Sequence, residues 1–446
     1  MAKTISAEVA SFFEETELMG RVTNGRRSIS VSVLSSPSSR ASSSSRNISS
    51  ASFSTAFDTE PQRTIGVPAE LESIEAYEYI GFNRETSRHL WSCYANQKGD
   101  SKDSFMDIAR AHVRNPQFPD VIALEEDWVS LLGDLGINDK LQTAILLPEF
   151  SDVRVTMTCK YWVSMSMEWG FSTLAELDDR LREELRRRKP GVGQQKAKTP
   201  TLDPPVSRKR SKEPTGPVLA SASEDDAKPV TTSAAGFPPK MDGYTMVWCA
   251  CKLPLALGCC NDEEDQLCLD NLKFGQGDFP KGVEYFTPQP ETANRYATYY
   301  KHLQEDSEFA TLQIAVPTKF IESLDHGLLL SDGNTQTQWK KVIWYCRRGD
   351  GDALPRELKY LYRRELWIGH IARGKDKKYI DMESWEEVDS SRILKVKSDG
   401  KWINAIQWVF YTEFARTKFA KLGKGNAWVH YRGSLVSEMP KQQLGA

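Results

Sequence analysis

The densest group of potentially reactive side chains is a set of five cysteines within twenty residues, Cys249, Cys251, Cys259, Cys260 and Cys268. Structural zinc sites use four Cys or His ligands, so the set is large enough to bind zinc. Zinc sites usually space their ligands as C-x-x-C pairs, whereas this chain has C-x-C and C-C. Cysteine also packs as a small buried hydrophobe. We therefore expect no metal here, and a zinc-stabilised binding module remains an alternative.

The sequence lacks the motifs of several large enzyme classes. It has no P-loop, no G-x-G-x-x-G after a strand, no G-x-S-x-G and no H-E-x-x-H. The six histidines are scattered between His89 and His430, so their spacing predicts no catalytic triad.

A second group of residues is more informative because its parts follow one another in a fixed order. Residues 274–287 read FGQGDFPKGVEYFT, and a helix with A-x-x-Y-A on one face follows from Pro290. Three further segments come later, LQIAV at 312–316, WIGHIA at 367–372 and IQWVFYT at 406–412.

Together these segments resemble the ADP-ribosyltransferase-like superfamily. Its members carry D-F-x-G-F-Y-x-T, then a helix with A-x-x-Y/W-A, then I-I-G-P-I-A and a final strand with Q-x-x-F. The resemblance covers roughly residues 243–425. It implies a split-sheet fold with a cleft that binds NAD, as a substrate or as a ligand.

The resemblance also implies roles for five residues. Tyr285 matches the aromatic residue beside the nicotinamide, and Thr287 is the threonine of the same Y-x-T segment. Gln407 stands where a Glu or Gln binds the ribose 2′-hydroxyl. Cys249 stands at the dinucleotide-binding position of the first strand, and Asp278 is the acid of the D-F segment. Tyr285 and Gln407 are the implied catalytic residues, and all five are implied to bind the cofactor.

The first strand departs from the family pattern L-Y-H-G-T, because the chain reads VWCAC at 247–251. Cys249 replaces the His and is a poorer hydrogen-bond donor, and Ala250 replaces the Gly. Gln407 is neutral and stabilises positive charge less well than a carboxylate. Two readings stay open. The protein is an NAD-dependent ADP-ribosyltransferase or NAD glycohydrolase, or it is a pseudoenzyme that binds a nucleotide or acts as a scaffold.

Hydrophobic periodicity predicts an α+β protein with two folded modules. We expect a disordered Ser-rich tail over 1–67, an all-helical module over 68–189, a disordered Pro-rich linker over 190–240 and an α+β module over 241–435.

Three local expectations follow from the same patterns. Ser172 or Thr173 caps a charged helix that ends at Arg188. One strand spans 402–410, and a helix after Thr412 turns Phe414 inward together with Ala415 and Phe419.

The helical module resembles the N-terminal region of uncharacterised fungal proteins, on the segments YIGFN at 79–83, DW at 127–128 and LGIN at 135–138. No activity follows from that resemblance. A helical module joined by a linker favours a role in binding a protein partner.

Charge and hydropathy restrict the partners and the cellular location that we expect. The net charge of −3 argues against nucleic acid as a partner of the whole chain. No apolar run is long enough for a membrane span, and the acidic N-terminus is unlike a signal peptide. We expect an intracellular protein with reduced cysteines, cytoplasmic or, through the basic runs at 186–189 and 208–212, nuclear.

Overall fold

The computed structural model describes residues 2–34, 48–49, 64–97, 103–118, 125–188, 240–260, 265–274, 278–279, 283–348, 354–374 and 379–431. Helices and strands are mixed, which confirms the α+β class. The α-helices are α1 (Ala7–Glu15), α2 (Val31–Leu34), α3 (Ile74–Tyr79), α4 (Arg84–Ala95), α5 (Phe105–Arg114), α6 (Glu125–Asp134), α7 (Asp139–Leu146), α8 (Ser151–Arg154), α9 (Cys159–Ala175), α10 (Leu177–Arg188), α11 (Leu253–Cys259), α12 (Pro290–Leu303), α13 (Thr318–Ser323), α14 (Gln336–Arg347) and α15 (Glu413–Gly423). The strands are β1 (Arg26–Ser30), β2 (Ile48–Ser49), β3 (Thr64–Pro68), β4 (Tyr244–Lys252), β5 (Lys273–Phe274), β6 (Val283–Glu284), β7 (Phe309–Pro317), β8 (His326–Leu329), β9 (Leu366–His370), β10 (Lys395–Ser398), β11 (Lys401–Asn404), β12 (Ile406–Phe410) and β13 (Ala427–Tyr431).

The C-terminal half contains two sheets that meet at a short connecting segment, Tyr285–Thr287. One sheet has the order β2-β13-β7-β4 and the other the order β12-β9-β8. Phe286 exchanges backbone hydrogen bonds with Trp408 of β12, at 2.9 and 2.7 Å. The next residue, Thr287, does the same with Trp248 of β4, at 2.8 Å in both directions. Successive residues thus join one sheet to the other.

The N-terminal half is a layer of helices, α1 to α10, which we name the helical layer. It carries a small antiparallel sheet of β1 and β3. Its helices begin at capping side chains, since Asn83 and Thr158 each accept a backbone N–H hydrogen bond in the first turn. Ser104 forms a full capping box with Asp107. The buried faces pack around Trp128 and Trp162, each about 1% exposed.

The prediction of a disordered tail over 1–67 is wrong for residues 2–34 and for the start of β3. Phe13 of α1 and Ile29 of β1 are fully buried in the same core as the helices. The sequence of β1, RRSIS, contains one large apolar residue and therefore does not stand out from the Ser-rich sequence beside it. The described elements between 69 and 188 are all helices, so the β1–β3 pair adds to the helical module on its N-terminal side.

Local expectations were partly wrong as well. Ser172 and Thr173 lie inside α9, where their hydroxyls bond the Trp169 carbonyl oxygen, so they cap no helix. The expected strand over 402–410 is two strands that part at Ala405. The side chain of Phe414 is exposed, at 64%, while Ala415 and Phe419 are buried.

The two halves are not separate modules, because they share one hydrophobic core. Tyr299, Tyr300 and Leu303 of α12 pack with the helical layer, as does Phe309 of β7. Tyr300 lies 4.8 Å from Trp169, measured between ring centroids. One face of the helical module is therefore covered by the C-terminal half. The predicted linker lies outside the described residues except for Lys240.

Polar contacts across this junction are also buried. The Tyr299 hydroxyl donates to the Ile145 carbonyl oxygen at 3.1 Å. Lys252 is 5% exposed, and its Nζ donates to Ser172 Oγ at 2.6 Å and to Thr173 Oγ1 at 3.1 Å. Burial lowers the pKa of Lys252 to about 8.

No helix among the described residues has the length and apolar character needed to cross a membrane.

The shared core predicts that the halves stay together after the chain is cut. We expect an engineered protease site within 190–239, once cleaved, to leave two fragments that co-elute from a sizing column at micromolar concentration. Replacing Tyr300 with Ala removes a buried aromatic contact and should promote dissociation, since such truncations cost about 3–5 kcal/mol. The matched control is exposed Tyr360→Ala. Separate elution of the unmutated fragments would contradict the shared core.

Lys252 predicts a pH dependence of the same junction. The unfolded chain keeps this proton up to a pKa near 10.5, whereas the folded chain loses it near pH 8, so the unfolded state binds more protons between these values. Folding stability should therefore rise by roughly 3 kcal/mol at most across that window, relative to Lys252→Met. Urea unfolding at several pH values measures it, with exposed Lys319→Met as the control. Parallel profiles for wild type and Lys252→Met would refute the assignment.

Candidate ligand-binding cavity

A cavity of about 80 Å³ lies where the Tyr285–Thr287 segment joins the two sheets. Its wall combines strand residues, the first turn of α12, the end of α14 and residues from the helical layer. The lining residues are Thr156, Met157, Tyr161, Trp162, Trp248, Cys249, Ala250, Asp278, Tyr285, Phe286, Thr287, Thr292, Ala293, Tyr296, Tyr300, Arg347, Ile371 and Gln407.

All five residues named in the sequence for a ligand site line this one cavity. Cys249 comes from β4, Tyr285 and Thr287 from the connecting segment, Gln407 from β12, and Asp278 from a loop between β5 and β6. The residues span 159 positions of the chain, from 249 to 407, and sit on different elements. The neighbouring motif residues 275–277 and 280–282 lie outside the described residues.

The Tyr285 side chain contacts Phe279 through both its hydroxyl and its ring. Its hydroxyl accepts a hydrogen bond from the Phe279 N–H at 3.2 Å, and it also lies 3.3 Å from the Phe279 carbonyl oxygen, to which it donates. Its ring is nearly parallel to that of Phe279, at 18°. Burial, with the nearby Asp278 charge, raises the pKa of Tyr285 well above its usual value, so the hydroxyl stays neutral.

Gly369 makes room for this packing. A Cβ atom there would lie 2.8 Å from Phe279 Cζ and 2.9 Å from the Leu329 carbonyl oxygen. Gly369 pairs with Gln407 across β9 and β12. A side chain at this position would push Phe279, and with it the Asp278 backbone, away from β12.

Asp278 is the polar centre of the cavity wall, with its side chain 2% exposed. One carboxylate oxygen lies 2.6 Å from an Arg347 guanidinium nitrogen and 2.8 Å from its Nε. The other accepts from Gln407 Nε2 at 2.7 Å and from the Ala372 N–H at 2.6 Å. Arg347 also donates to the carbonyl oxygens of Ala372, at 2.8 Å, and of Thr156. The buried charge is therefore paired and hydrogen-bonded.

The helical layer closes one side of the cavity through the turn between α8 and α9. Thr158 caps α9 by accepting from the Tyr161 N–H at 3.1 Å, which places Met157 before the helix and Tyr161 on its first turn. The Thr156 hydroxyl is fixed by the Val153 carbonyl oxygen at 2.7 Å and by the Tyr296 hydroxyl at 3.1 Å. The turn between α8 and α9, which forms this wall of the cavity, is thus hydrogen-bonded to α12 as well as to Arg347.

Sequence reasoning missed Arg347 and the two residues of the α8–α9 turn that line the cavity, Thr156 and Met157. Arg347 had a visible signal, because it lies four residues after Ile343 and eight after Trp339 on the apolar stripe of α14. A charged residue on a buried helix face needs a partner, and Asp278 provides it. Thr156 and Met157 had no comparable signal, since nothing in their local sequence indicates a contact with residues more than one hundred positions away.

The five clustered cysteines form no metal site. All of them belong to the described residues, within which no group of three Cys, His, Asp or Glu side chains is placed to hold a metal ion. The Cys259 thiol instead donates to the Cys268 carbonyl oxygen at 2.8 Å. A hydrogen bond with Cys249 and burial raise the pKa of Cys251 well above its usual value, so it stays a thiol. The zinc alternative gains no support.

No family model, curated protein or solved structure matches the chain.

The Asp278 network predicts a large and asymmetric response to mutation. Arg347→Met leaves Asp278 buried without its cation, and losing one partner of a buried pair costs about 3–5 kcal/mol. The double variant Asp278→Asn with Arg347→Met removes both charges and should recover part of that loss. Urea unfolding of the full chain measures both. Equal stability of the two variants would show that the cost of an unpaired Asp278 charge does not determine the loss of stability.

Proposed function

We propose that the protein is a divergent ADP-ribosyltransferase-like protein that binds the nicotinamide moiety of NAD, or a related single-ring carboxamide, without turning NAD over. The observation that carries the proposal is the convergence of Cys249, Asp278, Tyr285, Thr287 and Gln407 on one cavity. The resemblance alone named these residues, and their meeting in one cavity from positions spread over 159 residues of the chain supports it.

The meeting of two sheets at Tyr285–Thr287 supports the same proposal. The superfamily places its Y-x-T segment beside the nicotinamide, within a split sheet. Here Phe286 pairs with one sheet and Thr287 with the other, so the side chain of Tyr285 faces the junction.

The chemistry of the wall suits a flat ring with a carboxamide. Aromatic side chains supply surfaces for stacking, and Tyr161, Tyr285 and Tyr296 all contribute to the lining. The polar end combines the hydroxyls of Thr156 and Thr287 with the Asp278 network. A carboxamide both donates and accepts hydrogen bonds, and this end offers groups of both kinds.

Turnover is disfavoured by the charges. Breaking the bond between nicotinamide and ribose develops positive charge, which an enzyme stabilises with an anionic or strongly accepting group. The carboxylate of Asp278 is neutralised by Arg347, and the Gln407 amide donates to Asp278. Neither residue offers a free negative charge to the ribose.

The size of the cavity sets the class of ligand. Pockets that enclose drug-sized ligands measure roughly 300–1,000 Å³, whereas this cavity measures about 80 Å³. The turn that carries Thr156 and Met157 takes up the space beside the ring site. A cavity of about 150 Å³ is known to hold benzene, so a single ring requires a small outward movement of that turn and a whole dinucleotide a large one.

A proposed location follows from the basic runs. We propose a cytoplasmic or nuclear protein. Arg187 and Arg188 of the first run are paired with Glu184, at 3.2 and 2.7 Å, which favours a structural role for that run. The second run, 208–212, lies outside the described residues, and we propose it as the candidate nuclear signal. We propose that a partner protein binds the outer surface of the helical layer.

Calorimetry on the full chain tests the proposed ligand. We expect nicotinamide to bind with millimolar or better affinity, and Tyr285→Ala or Gln407→Ala to weaken binding about tenfold, equivalent to about 1.4 kcal/mol. Met157→Ala should enlarge the cavity and improve binding of nicotinamide mononucleotide relative to nicotinamide. The matched control is Met165→Ala, which lies on α9 and does not line the cavity.

Two outcomes would overturn parts of this proposal. No heat with nicotinamide at millimolar concentration, from a chain shown to be folded, would rule out the ligand. Release of free nicotinamide from NAD, abolished by Gln407→Ala, would rule out the non-catalytic reading and restore the transferase or glycohydrolase function.

A further inference from the structure

The hairpin of β10 and β11, which we name the basic hairpin (Lys395–Asn404), presents an unusual surface. Its tip is Asp399–Gly400, and both residues have positive φ, at 48° and 80°. Such a two-residue turn fits the right-handed twist of the strands and fixes their register. Lys397 is paired with Trp402, so both side chains lie on one face, and Lys395 lies on that face two residues away.

That face is solvent-exposed and positively charged. The Trp402 side chain is 66% exposed, the highest value among the large exposed hydrophobic residues of the described chain. Lys395 and Lys397 are exposed on that face, whereas Lys401, also exposed, lies on the other face because adjacent strand residues alternate. Within the described part of the chain, the side chains of Lys395 and Lys397 form no ion pair and no hydrogen bond, and their backbones pair only within the hairpin. An exposed indole beside unpaired cations contributes little to folding, since burial provides the stabilisation.

The hairpin is rigidly mounted on the rest of the fold. On its opposite face Val396 is buried in a small core with Ile371 and Leu394. Ser398 Oγ donates to a carboxylate oxygen of Glu291 at 2.8 Å. At the base, Gln289 Nε2 donates to the Asn404 carbonyl oxygen at 2.9 Å. The exposed face is therefore held in place before any partner arrives.

We propose that the basic hairpin binds single-stranded nucleic acid, with a base stacked on Trp402 and phosphates paired with Lys395 and Lys397. Proteins that bind single strands combine aromatic stacking platforms with cations along the backbone, and they tolerate any sequence because every base has a π-face. The net charge of the whole chain, −3, does not indicate this patch, because acidic residues elsewhere offset its positive charge.

The indole decides between nucleic acid and other anionic partners. The face of an aromatic ring is electronegative, so it gives no attraction to the carboxylates of an acidic peptide. An anionic membrane would use several apolar side chains, and this face offers one. Stacking with a base uses the whole exposed ring. The proposal does not depend on the ligand of the cavity.

Fluorescence anisotropy with labelled twelve-nucleotide oligo(dT) and oligo(U), titrated with the full chain at low salt, tests the proposal. We expect Trp402→Ala to weaken binding about fivefold or more and Trp402→Phe to retain most of it. Lys395→Ala with Lys397→Ala should lower the slope of log affinity against log salt by about 1.4, since each phosphate contact on a single strand contributes about 0.7.

The matched control is Phe414→Ala with Lys418→Ala and Lys421→Ala on α15, where an aromatic residue and two lysines are similarly exposed. It should leave binding unchanged. The proposal is overturned by an absence of binding at low salt, by equal weakening in the control, or by binding that Trp402→Ala leaves intact. It is also overturned if poly-glutamate or phosphatidylserine vesicles bind as tightly as the oligonucleotides.

Discussion

The buried carboxylate of Asp278 is the constraint on which the site depends. It binds Arg347 from α14, Gln407 from β12 and the Ala372 backbone after β9, and Arg347 carries the connection on to Thr156 in the helical layer. A buried charge is tolerated only when it is paired and hydrogen-bonded, so these elements must meet at one point. The same meeting brings Tyr285 and Cys249 to the wall of the cavity.

Much of the C-terminal half follows from local sequence. Proline at the first helical position and the periodic Ala293 and Ala297 predict α12 with its observed bounds, and the apolar run of β7 predicts a buried strand. The candidate site residues came from short motifs whose order along the chain carries information that periodicity does not. Where the pattern was misleading, as at Phe414, an apolar residue lies at a helix position that the fold leaves exposed.

The relation between the two halves was beyond local sequence. Ala293, Tyr296, Ala297 and Tyr300 form one apolar face of α12 by their spacing, and nothing in that spacing tells whether the face meets a sheet or another helix. The structure shows both, because α12 packs on β4 and β7 with one side and on the helical layer with the other. This double contact makes the helical layer a wall of the cavity, with Met157 and Tyr161 among the lining residues.

The helical layer forms part of the proposed ligand site, and hydrogen–deuterium exchange of the full chain with saturating nicotinamide tests directly whether it takes part in binding. We predict slower exchange at two separate places, the turn at 155–158 and the connecting segment at 285–287, because a ring bound between them orders both. Protection at 285–287 alone, with unchanged exchange at 155–158, would show that the helical layer takes no part in binding. Unchanged exchange at both places would show that the cavity does not hold the ligand.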